Sequence, residues 1–195
     1  MKLKKWGDID PPMEINMTRR KMLLMTAGAI ALGFSGLAGF AGSNAFSADD
    51  EDASQEALVK LLDTAKINLQ QGLAASEQQG KPISAKFEVD DGKLQLSVYT
   101  AKEGKFFEVL INHVTGEVLR AEPITEGEDL SAAKEQSAAI GNAKISLQAA
   151  VDKTIAQSAN TRAVSVVPGI KDGHPIASID VLTYNQVKAI QQPLD

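Results

Sequence analysis

The chain of 195 residues contains no cysteine, one tryptophan, two tyrosines and two histidines. Without cysteine there is no disulfide framework, zinc ribbon, iron–sulfur cluster or thiol nucleophile. All five methionines (Met1, Met13, Met17, Met22, Met25) and Trp6 lie within the first 25 positions, so the remainder lacks Cys, Met and Trp together. That absence removes Met-rich copper sites, blue-copper sites and covalent haem attachment from the function classes open to the body of the chain. Basic residues are also short: 20 Lys and Arg face 25 Asp and Glu, a net charge of −5. A nucleic-acid binder would need a basic face, and none is legible. The HExxH helix of a zinc peptidase, the GxSxG elbow of a serine hydrolase and the glycine-rich phosphate loops are all missing from the chain beyond its first 47 residues. No catalytic residue, cofactor site or metal site is therefore assigned, and no enzyme activity is expected.

What is present begins with one long uncharged run, the 19 residues from Met22 to Phe40. It follows a cationic start (Lys2, Lys4, Lys5, Arg19, Arg20, Lys21) and is weakened as a membrane span by Gly28, Gly33, Gly36 and Gly39. Small residues in Ser43-Asn44-Ala45 and Ala45-Phe46-Ser47 suit a signal peptidase, which puts the expected cleavage after Ala45 or Ser47. Thr18-Arg19-Arg20-Lys21-Met22-Leu23-Leu24 resembles a twin-arginine export signal, with Arg19 and Arg20 as its pair and Met22 in place of the usual Phe. A general secretory signal and an uncleaved anchor are the alternatives. No cysteine follows the apolar core, so a lipid-anchored form has no acceptor. Residues 1–47 thus read as a signal peptide, and the rest as periplasmic or secreted. Removing the leader leaves 148 residues with 14 basic and 22 acidic side chains, a net charge of −8. A surface of that sign disfavours nucleic acid and anionic lipid.

The run Asp49-Asp50-Glu51-Asp52 is expected to be a solvated tail, followed by a helix from near Ala53. In that helix Leu58, Leu61, Leu62, Ala65 and Leu69 form one stripe, and Gly72 and Gly80 mark its fraying end. Period-2 alternation then predicts three strands punctuated by Asp91-Gly92, Glu103-Gly104 and Thr115-Gly116, and a short strand from Val118 to Glu122 that stops at Pro123. A polar joint over 125–129 leads to an alanine-rich helix from Leu130 to Ile140, then a helix from Ser146 with Leu147, Ala150, Val151, Thr154 and Ile155 on one face. Strands are expected again over 162–167, 176–183 and 187–191, with Lys171-Asp172-Gly173-His174 as a turn. The order helix, strand, Asp-Gly turn, strand, turn, strand has occurred twice. Val98-Tyr99-Thr100 matches Val181-Leu182-Thr183, at a spacing of about 80 residues, which points to an internal duplication whose second copy lacks the fourth strand.

These elements resemble the PepSY family. The carrying residues are Asn112-His113-Val114-Thr115-Gly116-Glu117-Val118, the family's Asx-x-x-Thr-Gly-x-Val turn with Asn at its head, and the Asp172-Gly173-His174-Pro175 hairpin of the second copy, which has no Thr-Gly turn. The resemblance implies an α+β fold of two PepSY-like units, each a helix packed on an antiparallel β-meander: residues 48–124, a linker and helix over 125–144, and a shorter unit over 145–195. It further implies a non-catalytic binding module that modulates or inhibits a peptidase or binds another envelope protein. The alternative is an accessory or folding factor for a membrane redox or transport complex, suggested by the leader alone. His113 and His174, both in turns, are expected to be solvated and far apart. Phe106 and Phe107 point to opposite faces of one strand, so one of them, beside Tyr99 or Leu110, would form a patch for a partner unless the second copy covers it.

Overall fold

The computed structural model describes residues 48–195; the expected export signal at Arg19 and Arg20 and cleavage positions Ala45 and Ser47 lie outside them. The chain forms helices α1 (Ala48–Leu62) and α2 (Leu69–Ser76), strands β1 (Lys81–Asp90), β2 (Lys93–Lys102), β3 (Lys105–Ile111) and β4 (Val118–Ile124), helices α3 (Gly127–Asn142) and α4 (Leu147–Ile155), and strands β5 (Thr161–Lys171), β6 (His174–Thr183) and β7 (Gln186–Pro193). All seven strands join one antiparallel sheet in the order β4-β3-β2-β1-β5-β6-β7. The fold class is α+β. No described helix is long and apolar enough to cross a membrane.

Four hairpins close on two-residue turns in which both central residues have positive φ: Asp91-Gly92, Glu103-Gly104, Asp172-Gly173 and Tyr184-Asn185. That backbone matches the right-handed twist of the flanking strands, which is why Asp-Gly signals located the hairpins. The alternating residues separate into two faces by register. Ala85, Phe87, Leu96, Val98, Val109, Val166 and Ile179 share one face and belong to a single apolar cluster that also takes in Leu69, Leu73, Leu147, Val151 and Leu194.

Two helix expectations need correction. The first helix starts at Ala48, so the acidic run lies within its opening turns and is not a tail ahead of it; negative residues are favoured there by the positive end of the helix dipole. The stripe through Leu69 is also not one helix. The chain leaves α1 at Leu62 and restarts at Leu69, because Asn68 caps a new helix: its side chain accepts from the Gln71 backbone, and Gln71 returns a bond to the Asn68 N–H. In the link, the N–H groups of Lys66 and Ile67 donate to the His113 carbonyl at 2.8 and 3.2 Å. The α3–α4 link is built alike. Ser146 caps α4 by accepting from Ala149, and Lys144 and Ile145 donate to the Leu194 carbonyl at 2.7 and 3.1 Å.

Strand ends differ as well. β4 runs through Pro123 to Ile124, since an edge strand has one side where proline's missing N–H costs no ladder bond. β5, β6 and β7 each exceed their expected spans. Both central strands carry a bulge, β1 between Pro82 and Ser84 and β5 between Ala163 and Ser165, where one strand gains a residue over its partner.

Candidate functional site

At the end of the sheet where β3 stops, Asn112 organises the Thr-Gly turn. Its side-chain oxygen accepts from Val114 and Thr115 at 2.9 and 3.1 Å, and its carbonyl accepts from Gly116 at 2.8 Å. Gly116 sits at φ 80°, a conformation that favours glycine. The turn aims the His113 carbonyl at the α1–α2 link, while the ring Nδ1 of His113 is buried with no hydrogen-bond partner. Next to it a cleft of about 170 Å³ is lined by Leu94, Leu96, Leu110, Leu119, Asn112 and His113, among others. On the β3–β4 ladder Leu110 pairs with Arg120 and Ile111 with Val118, so Leu119 is the bulged extra residue. The bulge turns Leu119 outward to 63% exposure, and Val114 beside the turn is 48% exposed. β4 is an edge strand among the described residues, so its outer backbone groups meet no further described strand.

The polar face of the sheet holds a denser network. Lys86 Nζ lies 2.6 Å from Glu88, and the buried Ser97 hydroxyl lies 2.8 Å from Glu88 and 3.0 Å from Glu108. One hydroxyl carries one proton, so Ser97 serves these carboxylates one at a time. Tyr99 is buried here, and burial, then the nearby Glu108, Glu88 and Asp129 charges, push its phenol far above the usual range. Burial likewise raises the carboxyl of Asp129. α3 lies against this face, with Gln136 accepting from Ser84 at 2.8 Å. Tyr99 and Leu110 are buried, and Phe106 and Phe107 are both half-buried, so neither phenylalanine forms an exposed patch. Among the described residues the exposed large apolar side chains are Val114, Leu119, Val167, Ile170 and Tyr184.

The two histidines lie at opposite ends of the sheet, His113 past the end of β3 and His174 at the start of β6. His174 is exposed and 2.7 Å from Asp195, whereas His113 is half-buried and not the solvated residue anticipated. Among the described residues no three His, Cys, Asp or Glu side chains converge as a metal site. Ser131 and Lys134 stand in Ser-x-x-Lys spacing, but both are exposed on α3, and the Ser131 hydroxyl is 3.4 Å from the Gly127 carbonyl.

Sequence reading passed over Arg162. Its guanidinium donates to the carbonyls of Leu62 and Ile67 at 2.7 and 3.1 Å and stacks 5.2 Å from the Phe87 ring. Partial burial lowers its pKa, against the favourable charge of Asp63. The signal that leads to it is the repeat Ala65-Lys66-Ile67-Asn68-Leu69-Gln70 against Ala143-Lys144-Ile145-Ser146-Leu147-Gln148, which marks both links. At the second link a cavity of about 330 Å³ opens between Leu73, Glu77, Lys81, Pro82, Ile140 and Ile145.

No protein-family model matches the chain, and no curated protein matches it. Among solved structures, a candidate lipoprotein of Clostridium difficile 630 is similar at 14% identity, covering 58% of this chain and 75% of that chain with a TM-score of 0.37.

Proposed function

We propose that residues 48–195 are two PepSY-like units that act together as an exported, non-catalytic binding module for a peptidase or another envelope protein. The two-unit reading draws support from the centre of the sheet. Ala85 pairs with Val166 across the β1–β5 junction, and these two residues are 81 positions apart, as are the turns Asp91-Gly92 and Asp172-Gly173. The junction is then antiparallel pairing of a strand with its own copy. On this alignment Val98, which pairs with Ala85, corresponds to Ile179, which pairs with Val166; the match of Val98-Tyr99-Thr100 to Val181-Leu182-Thr183 is two residues too late. The equal bulges in β1 and β5 and the equal builds of the two links support the same duplication.

The observation that carries the binding reading is the β4 edge: an open strand with Leu119 bulged out beside Val114 and a small apolar cleft. An extended segment of a partner would add to such an edge by main-chain bonds and seat one apolar side chain in the cleft. The test adds the purified protein at equal concentration to thermolysin-like peptidases, alongside crosslinked pull-down from envelope membranes. A partner captured or inhibited by the wild type should be lost with Leu119→Lys at unchanged thermal stability. No inhibition and an identical crosslinking pattern for the variant would discard this edge as the binding site.

A further inference from the structure

The cavity at the α3–α4 link stands where, at the α1–α2 link, the guanidinium of Arg162 sits. We propose that this cavity binds an arginine side chain presented by a protein partner, an inference that rests on the two-unit reading above.

The two links have the same frame. Lys66 and Ile67 donate to the His113 carbonyl, and Lys144 and Ile145 donate to that of Leu194. In the first link the carbonyls of Leu62 and Ile67 take the Arg162 guanidinium at 2.7 and 3.1 Å. The matching carbonyls of the second link belong to Ile140 and Ile145. That of Ile140 receives a long contact of 3.4 Å from the Ala143 N–H, and that of Ile145 receives no bond from the described residues. The strand residues 81 positions before Arg162 and Ala163 are Lys81 and Pro82, and both line the cavity. Lys81 is exposed, and its side chain makes no hydrogen bond or ion pair with the described residues. The second link therefore has the acceptors but not the donor.

The chemistry of the donor follows from the acceptors. Two carbonyl oxygens at the ends of one link suit a planar fork of diverging N–H groups, and the guanidinium sheds water more readily than an ammonium. The carboxylate of Glu77 on the cavity wall supplies the negative charge that Asp63 supplies to Arg162. Lys144 is close enough to Asp195 to help lower its carboxyl, so part of its charge is offset there. Leu73, Ile140 and Leu147 give the arginine stem an apolar wall.

The test follows backbone amide shifts of the full-length protein by NMR while N-acetyl-L-arginine methylamide is added, with N-acetyl-L-lysine methylamide and free L-arginine as parallel probes. Saturable shifts over Ile140 to Gln148 at millimolar arginine amide are expected, about tenfold weaker for the lysine amide and weakened several-fold by Glu77→Gln. Lys81→Arg should fill the cavity from within, raising the melting temperature by about 3 °C and abolishing the titration. If Lys81→Arg stabilises the protein but the arginine amide leaves those amides unmoved, or the lysine amide binds equally well, the ligand is wrong while the two-unit reading stands. Binding of free L-arginine but not of the blocked amide would overturn the protein partner. If Lys81→Arg neither stabilises the protein nor shifts Ile140 and Ile145, the equivalence of the links fails, and the proposal with it.

Discussion

Arg162 shows how one side chain can replace a missing turn of helix. Where α1 ends, the Leu62 and Ile67 carbonyls have no helical partner, and the guanidinium bonds both while its flat face covers Phe87. Arg162→Met keeps much of the stem but leaves the Ile67 carbonyl unpaired and that of Leu62 with the Ala65 N–H alone, so it should lower the unfolding free energy by about 2 kcal/mol, read from the urea midpoint at unchanged slope. A loss below a tenth of that would mean water replaces the guanidinium without cost. A second residue-scale prediction concerns Asp195, whose carboxyl is held below its ordinary value chiefly by the hydrogen bond with His174. A depressed carboxylate adds stability above its unfolded pKa and loses it as pH falls through the folded one. Asp195→Asn should therefore lower the urea midpoint at pH 7, with the gap from wild type starting to close as pH falls below about 4; a gap that does not narrow at all on acidification would sink the assignment to this carboxylate.

At the scale of elements, the caps decide where helices begin more than the apolar stripe does. The stripe of Leu58, Leu61, Leu62, Ala65 and Leu69 continues across the α1–α2 link, yet the backbone turns there because Asn68 and Gln71 satisfy each other's N–H groups. Asn68→Ala should cost about 1 kcal/mol and speed hydrogen exchange at the start of α2. Unchanged exchange at Gln71 would show that the link, not the cap, holds the helix. The sheet was legible element by element because its hairpin turns are written in residues that accept positive φ, as Asp91-Gly92 and Asp172-Gly173 do. Leu119 was not, because its outward position comes from a bulge that only the pairing of Leu110 with Arg120 and Ile111 with Val118 defines.

Across the described residues, the β1–β5 ladder holds just the pairs Ala85–Val166 and Lys86–Ser165, but the apolar cluster runs unbroken from Leu58 to Leu194. Gln70 of α2 also reaches Asp152 of α4 at 3.0 Å. Urea unfolding should therefore be one transition, coincident by far-UV circular dichroism and by amide signals from both halves; two separated transitions would show that each half keeps its own core. The strands, their turns and the doubled order of elements could be read from local residues, because alternation and turn chemistry act over a few positions. The sequence by itself also determined the uncharged run from Met22 to Phe40 behind a cationic start, and the scarcity of redox and soft-metal ligands. Only the tertiary structure decided that the seven described strands share one sheet, that α3 lies over the face that holds Tyr99, and that Arg162 occupies the α1–α2 link while a cavity opens at the α3–α4 link. Those outcomes depend on contacts between residues scores of positions apart, such as Ser84 with Gln136 and Arg162 with Leu62, which no local pattern encodes.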